Sequence, residues 1–272
     1  MAARNWGRGW DKKAAADFAA LRRAPASRYG WMRLEAAKER LLAHDLAAAL
    51  ASFRAAAASS EPPHWMALCH AGETEVVLGR AAAGLRTFAR AEAAAPPASK
   101  GAALAWRGEM LCWLGRYEEG LTALREGASR GAQYAHGWTG GALLKLGRAA
   151  EALPQLDRAL AVSPWDEESR CWRAECLLAL GRPREALAES EKALDESRSP
   201  SPVFPRVLRG LARAALGDHR GAGADSAAVR RRLRLRAGDA EGVLRGVLER
   251  SRGARREGYV MKLWLGFIPE SR

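Results

Sequence analysis

Beta-branched residues and the dipeptides that form tight hairpins are scarce in this 272-residue chain, whereas runs of alanine are frequent. Alanine favours helices, and strands depend on β-branched and aromatic side chains. Hydrophobic residues form 48% of the sequence, enough to bury a substantial core. We therefore expect a nearly all-α fold.

Cysteine is equally sparse, with four residues, Cys69, Cys112, Cys171 and Cys176, all inside predicted helices. Their spacing matches neither a disulfide framework nor a zinc site, and the neighbouring His64 and His70 do not complete one. We expect reduced, buried thiols and no bound metal.

Long apolar runs are missing too. No stretch approaches the length of a membrane span, and residues 1–10 lack an apolar segment of secretory length. These absences predict a cytoplasmic protein, of bacterial type, that is not inserted in a membrane.

The motifs of common catalytic sites are not found. No glycine-rich run ends in Lys-Ser or Lys-Thr, and no strand-glycine-helix unit suits a dinucleotide. Cys69 and His70 are adjacent on a helix, so their side chains point about 100 degrees apart and cannot act as nucleophile and base. The acidic runs 118–119 and 166–168 begin helices, where negative charge offsets the helix dipole. The sequence predicts no enzyme, no catalytic residue and no cofactor.

Lysine is rare, and arginine dominates the formal net charge of +13. Such a charge raises nucleic acid as a partner. The arginines are scattered along most helices, however, and the motifs of nucleic-acid-binding folds are absent. The late arginines are predicted to form a solvated helix face, and they cluster at Arg230, Arg231, Arg232, Arg234, Arg236, Arg245, Arg250, Arg252, Arg255 and Arg256.

Six turn signals divide the chain at intervals of 35, 36, 32, 34 and 36 residues. They are His44-Asp45, Gly79-Arg80, Gly115-Arg116, Gly147-Arg148, Gly181-Arg182 and Gly217-Asp218. This period is typical of helix-turn-helix repeats that stack into a solenoid.

Small residues recur on both sides of these turns. Seven residues before each turn stand Ala37, Gly72, Gly108, Gly140, Ala174 and Gly210, and five after it stand Ala49, Gly84, Gly120, Ala152, Ala186 and Ala222. Small residues are needed where antiparallel helices approach closely, because larger side chains would separate the backbones.

With this spacing, residues 30–236 resemble the tetratricopeptide repeat (TPR) family. The best single unit is residues 133–165, which carries Gly140, the turn Leu146-Gly147-Arg148, Ala152, Leu156, Ala159 and the closing Ser163-Pro164. The resemblance implies an all-α fold, a right-handed alpha-alpha superhelix of about six helix-turn-helix repeats. Departures include His44 in place of glycine at the first turn.

Segments outside the repeats are predicted to cap them. Residues 1–29 contain an amphipathic helix over 11–23, and residues 237–272 contain a helix over 239–252 followed by the apolar run Tyr259 to Ile268. That run is interpreted either as a fold-back cap or as a docking segment for a partner.

By resemblance to the family, the first helix of each unit lines a concave, ligand-binding face. Nine residues before successive turns stand Trp106, Trp138 and Trp172, and six before them stand Glu73, Glu109 and Glu175. The predicted partner-binding residues are Trp106, Trp138, Trp172, Trp113, Tyr134, His70, Glu73, Glu109 and Glu175. The implied ligand is a protein or peptide with apolar and basic residues. The alternative is that these tryptophans only pack between repeats.

Three functional hypotheses follow. The first is a non-catalytic scaffold or adaptor that binds a protein or peptide in this aromatic, acidic groove. The second is a regulatory or substrate-recruiting subunit of a partner enzyme such as a transferase, docked through Tyr259 to Ile268. The third, disfavoured above, is an arginine-rich nucleic-acid-binding repeat protein, whose affinity would fall steeply with salt.

Overall fold

Helices account for all the regular secondary structure in residues 46–59, 62–197 and 202–252, which are the residues that the computed structural model describes. No strand occurs among them, so the predicted all-α fold is confirmed. The helices are Leu46–Ala57 (α1), Trp65–Val77 (α2), Ala81–Ala94 (α3), Lys100–Trp113 (α4), Tyr117–Ser129 (α5), Ala135–Lys145 (α6), Ala149–Val162 (α7), Glu167–Ala179 (α8), Pro183–Glu196 (α9), Val203–Ala215 (α10), His219–Leu233 (α11) and Ala240–Arg252 (α12).

Five of the predicted turns join the helices into pairs, and glycine makes each of them possible. At Gly147 the backbone φ is +75°, a left-handed conformation that costs glycine little. The next N–H, of Arg148, donates to the carbonyl of Leu143 at 2.9 Å, which satisfies an end-of-helix carbonyl. The same arrangement recurs at Gly79, Gly115, Gly181 and Gly217.

Three of the second helices also begin with the same side-chain clamp. Arg148 follows the turn glycine and donates two hydrogen bonds of 2.7 Å to the carboxylate of Glu151. Arg116 with Glu119 and Arg182 with Glu185 repeat the arrangement. The hydrogen bonds from arginine lower the pKa of each of these carboxyl groups. Because the pairs are exposed, they contribute little to the stability of the fold, although they recur with the period of the repeat.

The described chain divides after Ala103 into two compact units. In the first, α2 contacts both α1 and α3. Its buried residues include Phe53, Leu68, Val76 and Phe88. The carboxylate of Glu75, 3% exposed, joins the three helices, because Arg54 of α1 lies 2.6 Å from one oxygen and Thr87 of α3 donates to the other at 2.7 Å.

In the second unit, residues from 104 onward stack in order. From α5 to α12 each helix contacts the next in the chain, and α12 also contacts α10. First helices also contact one another, α6 with α8 and α8 with α10. One cluster of buried side chains centres on Leu124, Leu143, Leu156 and Trp172, and another includes Val207, Leu208, Leu244 and Val247. The predicted helix over 239–252 is therefore confirmed as α12, packed on the last repeat.

The small residues flanking each turn lie where the helix backbones approach most closely. A Cβ added at Gly84 would lie 2.6 Å from the carbonyl oxygen of Gly72, and one added at Gly120 would lie 3.0 Å from that of Gly108. A Cβ at Gly140 would clash with Leu156 and reach the carbonyl oxygen of Ala152 at 3.3 Å. The predicted reason for small residues at these positions is confirmed for these three pairs.

Buried carboxylates in the second unit have cationic partners. Asp225 of α11, 1% exposed, receives two hydrogen bonds from Arg209 and one from Arg213, both on α10. Glu189 of α9 pairs with Arg170 and Arg173 of α8 at 3.3 and 3.0 Å. Ionic contacts thus join successive helices alongside the apolar core.

Three predictions fall outside the described residues: the helix over 11–23, the turn at His44-Asp45 and the apolar run Tyr259 to Ile268. The domain limits 1–29, 30–236 and 237–272 stay predictions as well.

Replacing Gly84 with Ala tests the close approach of α2 and α3. The added methyl group would meet a backbone carbonyl that cannot rotate away, so we expect a loss of about 1–3 kcal/mol in the free energy of unfolding, measured by urea denaturation. Gly223→Ala is the matched control, because a Cβ there meets nothing within 4 Å and alanine favours helix by about 0.5–1 kcal/mol. Equal effects of the two substitutions would contradict the close approach.

Replacing Asp225 with Asn tests the buried ionic contact between α10 and α11. Because Arg209 and Arg213 would lose their common anion, we expect destabilisation of about 3 kcal/mol in urea denaturation. Glu119→Gln removes an exposed carboxylate from its pair with Arg116 and should leave the unfolding midpoint unchanged. If Asp225→Asn leaves the free energy of unfolding unchanged, the ionic contact does not stabilise the packing of α10 on α11.

Candidate functional site

Two rows of side chains on neighbouring first helices form the candidate site. On α6 and the residue that caps it, Tyr134, Trp138, Gly141 and Lys145 follow intervals of four, three and four residues, which place them on one side of a helix. On α8, Glu168, Trp172 and Glu175 follow intervals of four and three. Because α6 and α8 are in contact, the rows are neighbours, and together these seven residues define the α6–α8 face.

Trp138 and Trp172 form an aromatic pair at the centre of this face. Their ring centroids lie 4.9 Å apart with an interplanar angle of 70°, an edge-to-face arrangement that aromatic rings prefer. Trp172 is 6% exposed and covers Gly141, where an added Cβ would lie 2.9 Å from three of its ring carbons. Trp138 remains partly exposed. Trp172 therefore fills the space between two repeats, and Trp138 offers a ring surface.

The remaining predicted aromatic residues are accessible to different degrees. Trp106 and Trp113 lie on α4 and are partly exposed, as is Glu109 between them. Tyr134, at the start of α6, is 45% exposed. Spacing places Trp106, Glu109 and Trp113 on one side of α4.

Glu175 is less available to a ligand than its position in the sequence indicates. It is 1% exposed, and the ammonium group of Lys145 lies 3.5 Å from its carboxylate. Lys145 ends the row on α6, so the charge of Glu175 is balanced within the α6–α8 face. Sequence analysis did not identify this partner.

His70 and Glu73 lie in the first unit. The imidazole of His70 stacks on Phe53 with a centroid distance of 5.0 Å, and its Nδ1 lies 3.5 Å from the carboxylate of Glu73. The side chain of Glu73 is 29% exposed. Within that unit His70 has a packing role, and Glu73 is the more accessible of the two.

Glu168, like Lys145, belongs to the face but is not among the residues predicted from the sequence. Burial raises the pKa of its carboxyl group to about 8; the nearby charge of Asp166 raises it further and that of Lys145 lowers it. The residue nevertheless keeps some exposed surface. The first turn of a helix should favour a charged carboxylate. Its position four residues before Trp172, equivalent to that of Tyr134 on α6, was the available signal.

The cysteines are inert in this environment. All four are free and buried, as predicted. Burial raises the pKa of the thiols of Cys112 and Cys176 to about 12, and those of Cys69 and Cys171 are raised too. Since the thiolate is the nucleophile, these thiols are unreactive near neutral pH.

No group of three or more His, Cys, Asp or Glu side chains in the described part of the chain could hold a metal ion. None of the described helices has both the length and the apolar character needed to cross a bilayer.

Some of the late arginines bind within the chain. Arg230 donates to the carbonyl oxygen of Arg236, and Arg245 lies 2.6 Å from the carboxylate of Glu241. Arg234 has a left-handed backbone conformation, with φ of 52°, at the end of α11. Some of the late arginines therefore stabilise local structure through contacts within the chain.

Part of the chain matches a known repeat family. Residues 143–202 match the sequence profile described as Tetratricopeptide repeat. A comparison with curated protein sequences finds no significant match.

Solved structures with the same fold cover most of the chain. PilW, described as a widely conserved type IV pilus biogenesis factor, is 20% identical with a TM-score of 0.65, over 81% of this chain and 99% of its own. PilF of Pseudomonas aeruginosa is 14% identical with a TM-score of 0.65, over 82% and 99%. A thermophilic TPR protein of Thermus thermophilus is 25% identical with a TM-score of 0.54, over 69% and 98%. Residues 143–202 thus carry a tetratricopeptide repeat profile, and the described chain, with its five glycine turns, shares the all-α fold of tetratricopeptide repeat proteins.

Proposed function

We propose that this protein is a non-catalytic scaffold or adaptor that binds a protein or peptide partner on its first-helix surface. The TPR fold is a protein-interaction scaffold, which supports the general class. The observation that carries the more specific proposal is Trp138, a partly exposed indole held edge-on by the buried Trp172.

An indole in this position suits a binding role for physical reasons. Trp172 and Gly141 fix the aromatic pair, so little side-chain freedom is left to lose when a ligand covers Trp138. Tryptophan is enriched among the residues that dominate binding energy, because it contributes a large contact area with few rotatable bonds. Tyr134, one turn away and 45% exposed, extends the same surface.

The predicted partner is a segment with apolar and basic residues. Apolar side chains would cover Trp138 and Tyr134, and basic ones would be attracted by carboxylates on the first helices, Glu109 on α4 among them. Glu175 contributes less than the other carboxylates, because Lys145 already balances its charge. A cytoplasmic location remains part of this proposal.

Replacing Trp138 with Ala tests the proposal. Peptides enriched from a random display library on the wild-type protein should lose at least about tenfold in affinity for the variant, because the central contact surface is removed. Fluorescence anisotropy of labelled, selected peptides measures the loss. Circular dichroism and thermal melting must show that the variant remains folded, and Trp138→Phe serves if it does not.

Trp165→Ala is the matched control for this test. Trp165 is 79% exposed and lies in the connection between α7 and α8, outside the α6–α8 face. Its loss removes an indole without altering the proposed surface, so the affinity should not change. Peptides that depend on Trp165 and ignore Trp138 would refute the assignment of the face.

A further inference from the structure

Several enclosed carboxylates in the described part of this protein have cationic partners, and Glu168 differs from them. Glu75 pairs with Arg54, Glu175 with Lys145, Glu189 with Arg170 and Arg173, and Asp225 with Arg209 and Arg213. Among the described residues, none donates a hydrogen bond to Glu168 or forms an ion pair with it. The described fold thus supplies ion pairs for these four carboxylates and leaves Glu168 without a direct one.

Few charged groups among the described residues lie close to the carboxyl group of Glu168. Asp166, the residue that caps α8, and Lys145 on α6 are the described charged groups that act on its carboxyl group. The Cys171 thiol on α8 also lies near it. Lys145 pairs with Glu175, so it balances the negative charge of this region only in part.

Other cationic side chains on α8 and α10 pair with carboxylates other than Glu168. Arg170 pairs with Glu189 and Glu196 of α9, and Arg173 pairs with Asp157 of α7 at 2.7 Å. On α10, Arg209 binds Asp225. The neighbouring carboxylate Glu167 accepts a hydrogen bond from Ser197 at 3.0 Å. These arginines are used to join helices, so none of the three serves as a counterion for Glu168.

Glu168 shares a row with the aromatic pair. It stands one helical turn before Trp172, whose ring contacts the partly exposed Trp138. A ligand that covers Trp138 on α6 would therefore lie beside the α8 row that carries Glu168, a carboxyl group with no hydrogen-bond or ion-pair partner among the described residues. An ammonium or guanidinium group bound there could pair with the carboxylate and lie near the face of an aromatic ring.

We propose that Glu168 is the counterion that selects the partner of the α6–α8 face, a segment in which a Lys or Arg side chain stands next to an apolar residue. The cation pairs with Glu168 while the apolar residue covers Trp138. This inference rests on the proposed function. It specifies which carboxylate of the first helices pairs with the basic residue of the partner.

Binding should then depend on pH in a defined direction. The pKa of Glu168 is about 8 in the free protein, so at pH 7 most molecules hold the neutral acid. A bound cation favours the ionised form and lowers this pKa, so a proton is released on binding. Affinity should rise from pH 6 to pH 8 by up to about tenfold per pH unit and level off above pH 8.

The same residue should weaken the fold at high pH. Its pKa in the folded protein lies above the ordinary value of 4.5, so between about pH 4.5 and 8 the folded protein holds a proton that the unfolded chain releases. Stability therefore falls as pH rises through this range. Glu168→Gln removes the effect, and its Tm should exceed that of the wild type by about 2–4 °C or more at pH 8.5 and match it at pH 4.5. Glu118→Gln, at a 71% exposed carboxylate, should show no such pH-dependent difference.

Parallel peptide selections on the wild type and on Glu168→Gln test the inference. Random display libraries are panned on both at pH 8.5, and selected peptides are compared with versions in which Lys is replaced by norleucine. We expect wild-type selections to be enriched in Lys or Arg beside an apolar residue, and norleucine to lower their affinity at least about tenfold for the wild type alone. The pH titration of a Lys peptide should be steep for the wild type and flat for Glu168→Gln.

The outcomes separate this inference from the function on which it rests. If no peptide binds, or if bound peptides ignore Trp138→Ala, the proposed function fails. If peptides bind through Trp138 but lack a basic residue, or keep the same preference for it in Glu168→Gln, the role of Glu168 is refuted and the scaffold function stands. If the difference in Tm between Glu168→Gln and the wild type is the same at pH 4.5 and pH 8.5, Glu168 titrates normally and the predicted pH dependence of binding is refuted.

Discussion

Close contact between the two helices of each repeat is the constraint on which the rest of this structure depends. Gly72 against Gly84 and Gly108 against Gly120 bring helix backbones to distances that no larger residue would allow. Because the pairs are so close, the intervening turn has to be tight, and glycine with positive φ provides it five times. Stacking of such pairs sets the first helices side by side, which is how α6 and α8 come to share a surface.

Sequence periodicity predicts this architecture well because it depends on local rules. A turn glycine, a small residue seven positions earlier and another five positions later are each fixed by backbone geometry, and the helix pairs α2–α3, α4–α5 and α6–α7 follow them. Helix α12 could be predicted for the same reason, since its apolar residues cover the last repeat. The exposed pairs of arginine and glutamate at three turns repeat with the same period, although they were not singled out from the sequence.

The candidate site was predictable only in part, because its chemistry depends on pairing across repeats. Spacing placed Trp138 and Trp172 on adjacent helices, but only coordinates show that one ring is buried against Gly141 and the other is not. Glu175 looked like a ligand for a basic peptide, whereas Lys145, thirty residues away, balances its charge. Glu168 was interpreted as part of an acidic run that offsets the helix dipole, and in the structure burial raises the pKa of its carboxyl group instead. Which carboxylate is paired and which is left over is decided by contacts that no local pattern encodes.

A carboxyl group whose pKa is raised by burial, and which has no ion-pair partner among the described residues, is a cost that the fold does not need to carry. Glutamine would fill the same space with no charge to desolvate, and a salt bridge would require only one more arginine in a chain already rich in them. Residues that weaken a structure persist where activity requires them, because selection for binding opposes selection for stability at the same position. Glu168 fits that condition in the proposed role, since it stands one helical turn before Trp172, whose ring contacts the partly exposed indole of Trp138. Its poor fit to the folded protein alone is therefore an argument for a charge brought by the partner.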